Sequence, residues 1–213
     1  MTEVRCAPGV IIGEYAFSQI ALTSILLPNG ITNIGNYAFY DCNALKSVTV
    51  PDGVESFGNK VFRGCITLES VAIPASVTKL TMEMFYECFM LKSITIPSGV
   101  QQLSSSAFYY CYSLRNIKFP SITYVGQNTC AQCYNLRRVV LPAGYTVIRE
   151  KAFYGCRNIK VFDFSACTAV PTLDNTNAFT GVLAVRMLVP TALYDEWIAA
   201  ENWANYKYKI EAV

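Results

Sequence analysis

Residues 34–51 read Ile-Gly-Asn-Tyr-Ala-Phe-Tyr-Asp-Cys-Asn-Ala-Leu-Lys-Ser-Val-Thr-Val-Pro, and variants of this unit recur along the chain of 213 residues. The closing proline returns at intervals of 23, 23, 23, 23 and 22 residues, at Pro28, Pro51, Pro74, Pro97, Pro120 and Pro142. Self-similarity at a fixed period of this length predicts a solenoid in which each repeat forms one coil. Since one coil cannot bury its own apolar side chains, stability must come from stacking on its neighbours.

Two more repeat positions predict the buried interior. One holds Phe17, Phe39, Phe62, Phe85, Phe108, Cys130 and Phe153, and the other holds Cys42, Cys65, Cys88, Cys111, Cys133 and Cys156. Six of the nine cysteines therefore share one position. We expect free thiols that pack as small buried hydrophobes. Stacked coils lie about 4.7–5 Å apart, so disulfides between neighbouring coils are the alternative.

The segment from each cysteine to the next proline predicts a strand. Val48 and Val50 alternate with polar residues, and Pro51 follows them. Period-two alternation predicts one short strand per coil, and proline ends it because it has no amide hydrogen to donate. Past the proline, spacings such as Val54-x-x-Phe57 predict the inner lining of a return path.

The repeat changes toward the C-terminus. The interval from Phe153 to Phe179 is 26 residues instead of 23, which predicts a bulged loop. Residues 1–190 are expected to form a solenoid of about eight coils. From Thr191 onward the pattern changes, with Trp197 and Trp203 among its apolar residues, and predicts a helical cap over residues 191–213 of the same domain.

The unit of residues 34–51 resembles the BspA-like, treponemal class of leucine-rich repeats, and the C-terminal tail looks like the closing segment of such proteins from gut bacteria. The resemblance implies an α/β right-handed solenoid, shaped as a horseshoe or arc. A parallel sheet would line its concave face, and short or helical turns its convex side. It also implies a secreted or cell-surface protein that acts in adhesion and binds proteins, including host or extracellular-matrix proteins. It transfers no catalytic residue.

The amino-acid composition limits the kinds of reaction that the chain could catalyse. The chain has no histidine, which removes the usual general base of Ser-His or Cys-His catalysis, and its carboxylates follow no repeated register. The pair Cys130-x-x-Cys133 has metal or redox spacing, but both residues belong to packing positions. We therefore expect no enzyme activity, no cofactor and no metal.

The net charge and the hydropathy of the sequence limit the classes of partner that the chain could bind. A net charge of +2 is too small to favour nucleic acid, and no apolar run is long enough to span a membrane. Residues Met1–Cys6 lack the pattern of a secretion signal, so an extracellular or cell-surface location rests on the resemblance alone.

Two exposed surfaces are candidates for binding. The outward positions of the strands form a basic stripe, suited to an acidic protein or an anionic glycan. Its residues are Lys92, Arg115, Lys118, Arg137, Arg138 and Lys160. The alternative is that these charges only keep an exposed sheet soluble.

The second surface is an aromatic ridge on a convex or lateral face, formed by Tyr86, Phe89, Tyr109, Tyr112 and Tyr134. Tyrosine rings and hydroxyls suit protein or sugar recognition. The alternative is partial burial under neighbouring coils. We expect a protein-binding scaffold that uses the strand face, with a carbohydrate-binding module that uses the aromatic ridge as the second hypothesis.

Overall fold

The computed structural model describes residues 2–3, 10–183 and 185–213. Residues 1, 4–9 and 184 lie outside the described residues, and Cys6 is among them. The strands are β1 (Thr2–Glu3), β2 (Ile11–Ile12), β3 (Ser24–Leu26), β4 (Asn33–Ile34), β5 (Ser47–Thr49), β6 (Ser56–Phe57), β7 (Ser70–Val71), β8 (Lys79–Leu80), β9 (Gln102–Leu103), β10 (Asn116–Lys118), β11 (Tyr124–Val125), β12 (Arg138–Val140), β13 (Val147–Ile148), β14 (Val161–Asp163), β15 (Thr172–Leu173), β16 (Arg186–Val189) and β17 (Ile210–Ala212).

The predicted strand of each coil forms what we call the front sheet. It runs β1-β3-β5-β7 and, after a gap, β10-β12-β14-β16-β17, with every pair parallel. Inward residues such as Val48 are buried, and the residues on either side of it are exposed. In the gap, residues 93–96 form no strand, and Ala72 and Thr95 make a single bridge. The expected parallel sheet is confirmed, with one interruption.

The return path forms a second parallel sheet, which the sequence reasoning described only as an apolar lining. This return sheet runs β2-β4-β6 and β8-β9-β11-β13-β15. Its strands have two residues each, the first pointing outward and the second buried, as in Ser56 and Phe57. Coils stacked at one spacing bring the return backbones together as closely as the front ones, so their amides and carbonyls pair as well.

A third set of backbone hydrogen bonds joins the turns between the return and front strands. Two residues of a coil there have left-handed backbone conformation, for example Tyr37 with φ 56° and Asp41 with φ 53°. Their amides donate to Asn59 and Arg63 of the next coil at 2.9 and 2.8 Å. The expected short turns thus connect neighbouring coils.

The phenylalanine column forms the centre of the core. Phe39 stacks on Phe17 and on Phe62, with ring centroids 5.2 and 5.4 Å apart, and the stack continues through Phe85 to Phe108. Phe39, Phe62, Phe85 and Phe108 are fully buried. Burial of each such ring contributes about 1.5–3 kcal/mol, which strongly favours the in-register arrangement.

Where Cys130 replaces phenylalanine, a larger residue appears nearby. Tyr145 stands at a return position that other coils fill with smaller side chains such as Val54 or Ile122. It is buried in the same core as Cys130, and burial raises the pKa of its hydroxyl. The core thus holds a larger residue at one repeat position and a smaller one at another. Among the described residues, the Tyr145 hydroxyl has no hydrogen-bond partner.

The irregular coil holds the C-terminal segment in place. Nine positions separate Asp163 from Thr172, against seven between Thr49 and Ser56, so most of the extra length precedes β15. The backbone carbonyls of the longer path accept hydrogen bonds from the cap. Trp203 Nε1 donates to Pro171 O at 2.7 Å, Asn202 Nδ2 to Leu173 O at 2.7 Å, and the Tyr206 hydroxyl to Thr176 O.

The C-terminal segment is helical at first and then returns to the sheet. It contains 310 turns over Thr191–Leu193 and Trp203–Lys209 and the helix α1 (Tyr194–Ala199), and it ends in β17, which pairs with β16. The segment thus adds a further turn, and the solenoid has about nine turns rather than eight. Among the described helices, none is long and apolar enough to cross a membrane.

The orphan hydroxyl of Tyr145 gives a first prediction. Replacing Tyr145 with Phe keeps the ring and removes a buried group without a partner, so the free energy of unfolding should rise by about 1 kcal/mol. Urea unfolding followed by circular dichroism measures the change. The exposed Tyr208 provides a matched control, because Tyr208→Phe should leave stability unchanged. A loss of stability in Tyr145→Phe would show that the hydroxyl is satisfied.

The two buried tryptophans of the cap give a second prediction. Trp197 and Trp203 are both fully buried, but Trp197 Nε1 has no hydrogen-bond partner within the part of the chain that the structure describes, and Trp203 Nε1 donates to Pro171 O. Both Trp→Phe changes remove similar volume, and only Trp203→Phe removes a hydrogen bond. Trp203→Phe should therefore be more destabilising than Trp197→Phe by about 1–2 kcal/mol in denaturant unfolding. Equal losses would contradict this account of the cap.

Candidate binding surfaces

Most residues of the predicted basic stripe lie in one column on the front face. Successive members are joined by a backbone hydrogen bond from each amide to the carbonyl of the member before it, at 2.8–3.3 Å. The column is Lys46, Glu69, Lys92, Arg115, Arg137 and Lys160. Lys118 and Arg138 lie in two neighbouring outward columns, in strands β10 and β12. The structure therefore brings the six predicted residues onto one face.

Ion pairs divide this face into neutralised and unpaired parts. Lys92 Nζ lies 2.6 Å from Glu69 Oε2, and Arg138 Nη2 lies 2.5 Å from Asp163 Oδ2. Hydrogen bonding to Ser165 and Arg138 holds the pKa of Asp163 below its usual value despite partial burial, which alone would raise it. Arg186 makes a bidentate pair with Glu211. The sequence reasoning did not identify Asp163 and Glu211 as partners.

Four of the six predicted cations form no ion pair with any described residue. They are Arg115, Arg137, Lys160 and Lys118. The first three are consecutive members of one column, and all four are exposed. Like charges directly opposite each other on neighbouring strands are unfavourable for the sheet. The concentration of positive charge here has no compensation within the described fold.

A shallow depression lies beside these cations, where the front sheet is interrupted. Its volume is about 370 Å³, and its lining combines apolar Ile94 and Val140 with polar Asn116 and the basic Lys118 and Arg138. Because residues 93–96 form no strand, their backbone makes few of the contacts that a continuous sheet would have. At this depression, the apolar side chains of Ile94 and Val140 lie beside Lys118, which has no ion-pair partner among the described residues.

The aromatic ridge forms as predicted, as a stacked array. The Tyr112 ring lies between Phe89 and Tyr134, 4.9 Å from the centroid of each. Tyr86 stacks on Tyr109 at 5.2 Å. Tyr110, which the sequence reasoning did not include, joins the two stacks by edge contacts with Tyr86, Tyr109 and Tyr112. All five predicted residues of the ridge are partly buried, as in the alternative interpretation of the sequence.

Cations lie over the outer rings of the ridge. The Arg63 guanidinium is 4.4 Å from the Tyr86 ring centroid, and that of Arg157 is 5.5 Å from Tyr134. Burial raises the pKa of Tyr109 to about 12, and a hydrogen bond with Tyr110 acts in the same direction. Most ring faces are therefore taken by neighbouring rings or guanidiniums. The ridge presents chiefly ring edges and hydroxyl groups to a partner.

The cysteine column adds a hydrogen-bond role to its packing role. Each of its six thiols donates to a backbone carbonyl of the preceding coil at 2.9–3.2 Å, as in Cys65 to Phe39 and Cys111 to Phe85. Cys133 follows this pattern, whereas Cys130, in the phenylalanine column, accepts the bond from the Cys156 thiol through its backbone carbonyl. Among the described residues, no group of three or more cysteine, aspartate or glutamate side chains could hold a metal ion.

These repeated positions identify the family. The model of the BspA type leucine rich repeat region matches residues 10–136 in six copies. The chain belongs to the BspA-type leucine-rich repeat family. The resemblance expected from the sequence is confirmed, and the family is one of repeat scaffolds. A search of curated proteins gave no match.

Solved structures share the fold of this BspA-type chain. The T. pallidum Leucine Rich Repeat protein is 22% identical with a TM-score of 0.69, over 95% of this chain and 91% of that one. A leucine-rich repeat protein from Eubacterium ventriosum is 21% identical with a TM-score of 0.55, over 83% and 56%. The pneumococcal vaccine antigen PcpA is 14% identical with a TM-score of 0.50, over 95% and 69%.

The return face of this BspA-type solenoid holds residues that the sequence reasoning missed. Tyr124 points outward from β11, and the Arg149 guanidinium lies 5.4 Å from its ring centroid while pairing with Asp174. The signal available in the sequence was the short alternation of the return path, with Tyr124 outward and Val125 inward. Recognising the return path as a second sheet would have placed these residues on one surface.

The buried thiols of this BspA-type chain predict a loss of stability at alkaline pH. Burial raises the pKa of Cys88, Cys111 and Cys156, whereas a thiol in the unfolded chain ionises near pH 8.5. Above that pH the unfolded state releases thiol protons that the folded state retains. The free energy of unfolding should therefore fall as pH rises above about 8.5, with a slope that approaches about 1.4 kcal/mol per pH unit for each thiol that stays protonated in the folded state.

Urea unfolding at a series of pH values measures this slope. Cys111→Ala removes one buried thiol, so its slope above pH 8.5 should be shallower by about 1.4 kcal/mol per pH unit. Cys42 is the exception in the column, because a hydrogen bond with Cys65 lowers its pKa. Equal slopes for Cys111→Ala and the parent chain would show that Cys111 ionises in the folded state.

Proposed function

We propose that the chain is a non-enzymatic binding scaffold whose front face binds an acidic segment of a protein partner. The observation that carries the proposal is the column of Arg115, Arg137 and Lys160, with Lys118 beside it, none paired with a carboxylate among the described residues. Complementary acidic groups on a partner would supply the missing counter-charges.

The solubility alternative accounts less well for this arrangement. Charges that only keep a sheet soluble are best interspersed in sign, because opposite charges on neighbouring strands stabilise the sheet. The same face shows such pairs in Lys92 with Glu69 and in Arg186 with Glu211. The adjoining unpaired cations raise the electrostatic energy of the folded chain. A binding role explains why the pairing stops there.

The depression at the front-sheet interruption favours a protein partner over a purely anionic polymer. Ile94 and Val140 line it together with Lys118. An acidic peptide can place an apolar side chain there while its carboxylates face the cations. Protein interfaces typically combine an apolar centre with a charged rim.

The aromatic ridge supports protein contact as a second binding surface. The exposed Met90 follows Phe89 in the chain. Its backbone amide donates a hydrogen bond to the carbonyl of Ile66, which is also exposed. Tyrosine, methionine and arginine are enriched in protein interfaces. Since the stacked rings cover one another's faces, sugar stacking on this ridge is less favoured than contact with a protein.

We further propose an extracellular or cell-surface location and a role in adhesion to host or extracellular-matrix proteins. The support is the family resemblance and the description of PcpA, a structural neighbour, as a pneumococcal vaccine antigen. The absence of histidine from the chain and the use of its Asp163, Glu69 and Glu211 carboxylates in ion pairs support a non-enzymatic role.

Charge reversal tests the front face. Poly-L-glutamate, as the acidic probe, is titrated against the parent chain and against Arg115→Glu/Lys118→Glu/Arg137→Glu. The variant should bind at least about tenfold more weakly, equivalent to about 1.4 kcal/mol, because attraction becomes repulsion. Surface plasmon resonance at two salt concentrations measures the affinity, which should fall as salt rises.

A matched control changes the same number of exposed cations away from the front face. Lys79→Glu/Arg157→Glu/Lys207→Glu alters the net charge equally and should keep most of the affinity. Equal losses in both variants would attribute binding to net charge and contradict the proposed site. Stronger retention of heparin than of poly-L-glutamate by the parent chain would favour an anionic glycan instead.

A further inference from the structure

Two adjoining cavities on the return face share Tyr124 and Ser105. One has a volume of about 380 Å³ and is also lined by Lys79, Gln102 and Ser104. The other has a volume of about 280 Å³ and is also lined by Gln127, Arg149, Glu150 and Asp174. Neither involves a residue of the front face or of the aromatic ridge. Each is close to the size range of small-molecule sites.

The cavities exist because the repeat has a small residue at one position. Equivalent positions in other coils hold residues with longer side chains, which are Glu14, Asn36, Asn59, Met82, Gln127 and Glu150. Asn36 Oδ1 accepts from the amide of Asn59 at 2.7 Å, so a longer side chain here reaches across to the next coil. Ser105 is too short to do so. The space that an asparagine would fill is left open beside Tyr124.

The Tyr124 ring stands between the two cavities. Arg149, from the following coil, places its guanidinium 5.4 Å from the ring centroid. Gln102 pairs with Tyr124 from the preceding coil and lines the other cavity. One side of the ring is thus held by the guanidinium, and the side toward Gln102 and Ser104 borders open space. This differs from the ridge, where Tyr112 has a ring on both faces.

The polar groups around the ring are fixed by one another. Arg149 Nη1 lies 2.9 Å from Asp174 Oδ2. Glu150 accepts from Asn177 Nδ2 and from Gln127 Nε2, both at 3.1 Å. The Asn177 hydrogen bond, followed by that of Lys151, lowers the pKa of Glu150. The carboxylate stays ionised and oriented, so its remaining acceptor capacity is available to a hydroxyl group.

The charge and polarity of the lining side chains indicate which class of ligand the site would bind. The open side of the ring is lined by a single exposed cation, Lys79, and by the neutral Gln102, Ser104 and Ser105, so it lacks the converging cations that would favour an anion. Apart from the tyrosine ring, the lining is polar, which disfavours a lipid or an apolar peptide side chain. What fits is a neutral molecule that has many hydroxyl groups and one apolar face.

We propose that Tyr124 forms the platform of a carbohydrate-binding site for the pyranose ring of a neutral sugar. The C–H face of the sugar packs on the open side of the ring, and its hydroxyls bond to Gln102, Ser104 and Ser105. Asp174 and Glu150 line the cavity on the other side of the ring and are not needed for this contact. A few oriented polar groups around an aromatic surface are what small-ligand sites commonly use. The site is independent of the proposed front-face function.

The proposal is tested with the full chain and six named probes. These are the methyl glycosides of glucose, galactose, mannose, fucose, N-acetylglucosamine and N-acetylgalactosamine, with methyl glucuronide as the charged comparison. Saturation-transfer NMR and calorimetry at up to about 20 mM sugar detect a site with millimolar Kd. At least one neutral glycoside should bind. Tyr124→Ala should weaken it by about tenfold or more, and Tyr124→Phe by no more than about threefold.

Two further variants separate binding from folding. Ser105→Asn fills the cavity with the side chain that Asn36 and Asn59 present in other coils, so it should fold normally and abolish binding. Tyr208→Ala, at an exposed tyrosine outside the proposed surfaces, should leave binding unchanged. The proposal is overturned if none of the six glycosides binds, if Ser105→Asn binds as well as the parent chain, or if Tyr208→Ala loses as much affinity as Tyr124→Ala. Preferential binding of the glucuronide would overturn the assignment to a neutral sugar.

Discussion

In-register backbone pairing between successive coils is the constraint on which the rest of the structure depends. Three ladders join successive coils: the front sheet, interrupted between β7 and β10, the return sheet, interrupted between β6 and β8, and the amides of the left-handed turn residues such as Tyr37 and Asp41. A shift of one residue would break all three ladders and move Phe39 and its equivalents away from one another. The thiol of Cys65, which donates to Phe39 O, depends on the same register. Backbone pairing and core packing thus specify one alignment.

The same register decides how binding surfaces arise on this solenoid. Residues that occupy one repeat position become neighbours at the spacing of adjacent strands, so the surface is organised in columns rather than in loops. Where the front column alternates in charge, as at Glu69 and Lys92, it stabilises itself. Where the same column continues with like charges, as at Arg115 and Arg137, it carries an energetic cost that the described fold does not offset. Departures from self-complementarity therefore mark the surfaces available to a partner.

The parts of the fold that repeat could be predicted, and those that depend on a single coil could not. The phenylalanine and cysteine columns and the front strands were predicted because apolar residues recur there at 23 residues. The return strands were missed because two residues give too short an alternation to recognise. The strand β17 was missed because the residues after Trp203 no longer follow the repeat.

The candidate sites divide in the same way. The position of Arg115 over Arg137 followed from the period alone, but the ion pair of Arg138 with Asp163 required side-chain geometry. The cavity at Ser105 required knowledge that two earlier coils bridge this position with Asn36 and Asn59. Cys130 and Tyr145 show the same limit in the core, since a smaller residue at one position and a larger one at another preserve the total volume. Period predicts which residues meet, whereas the departures from period determine the cavities, unpaired charges and orphan groups that give this solenoid its individual chemistry.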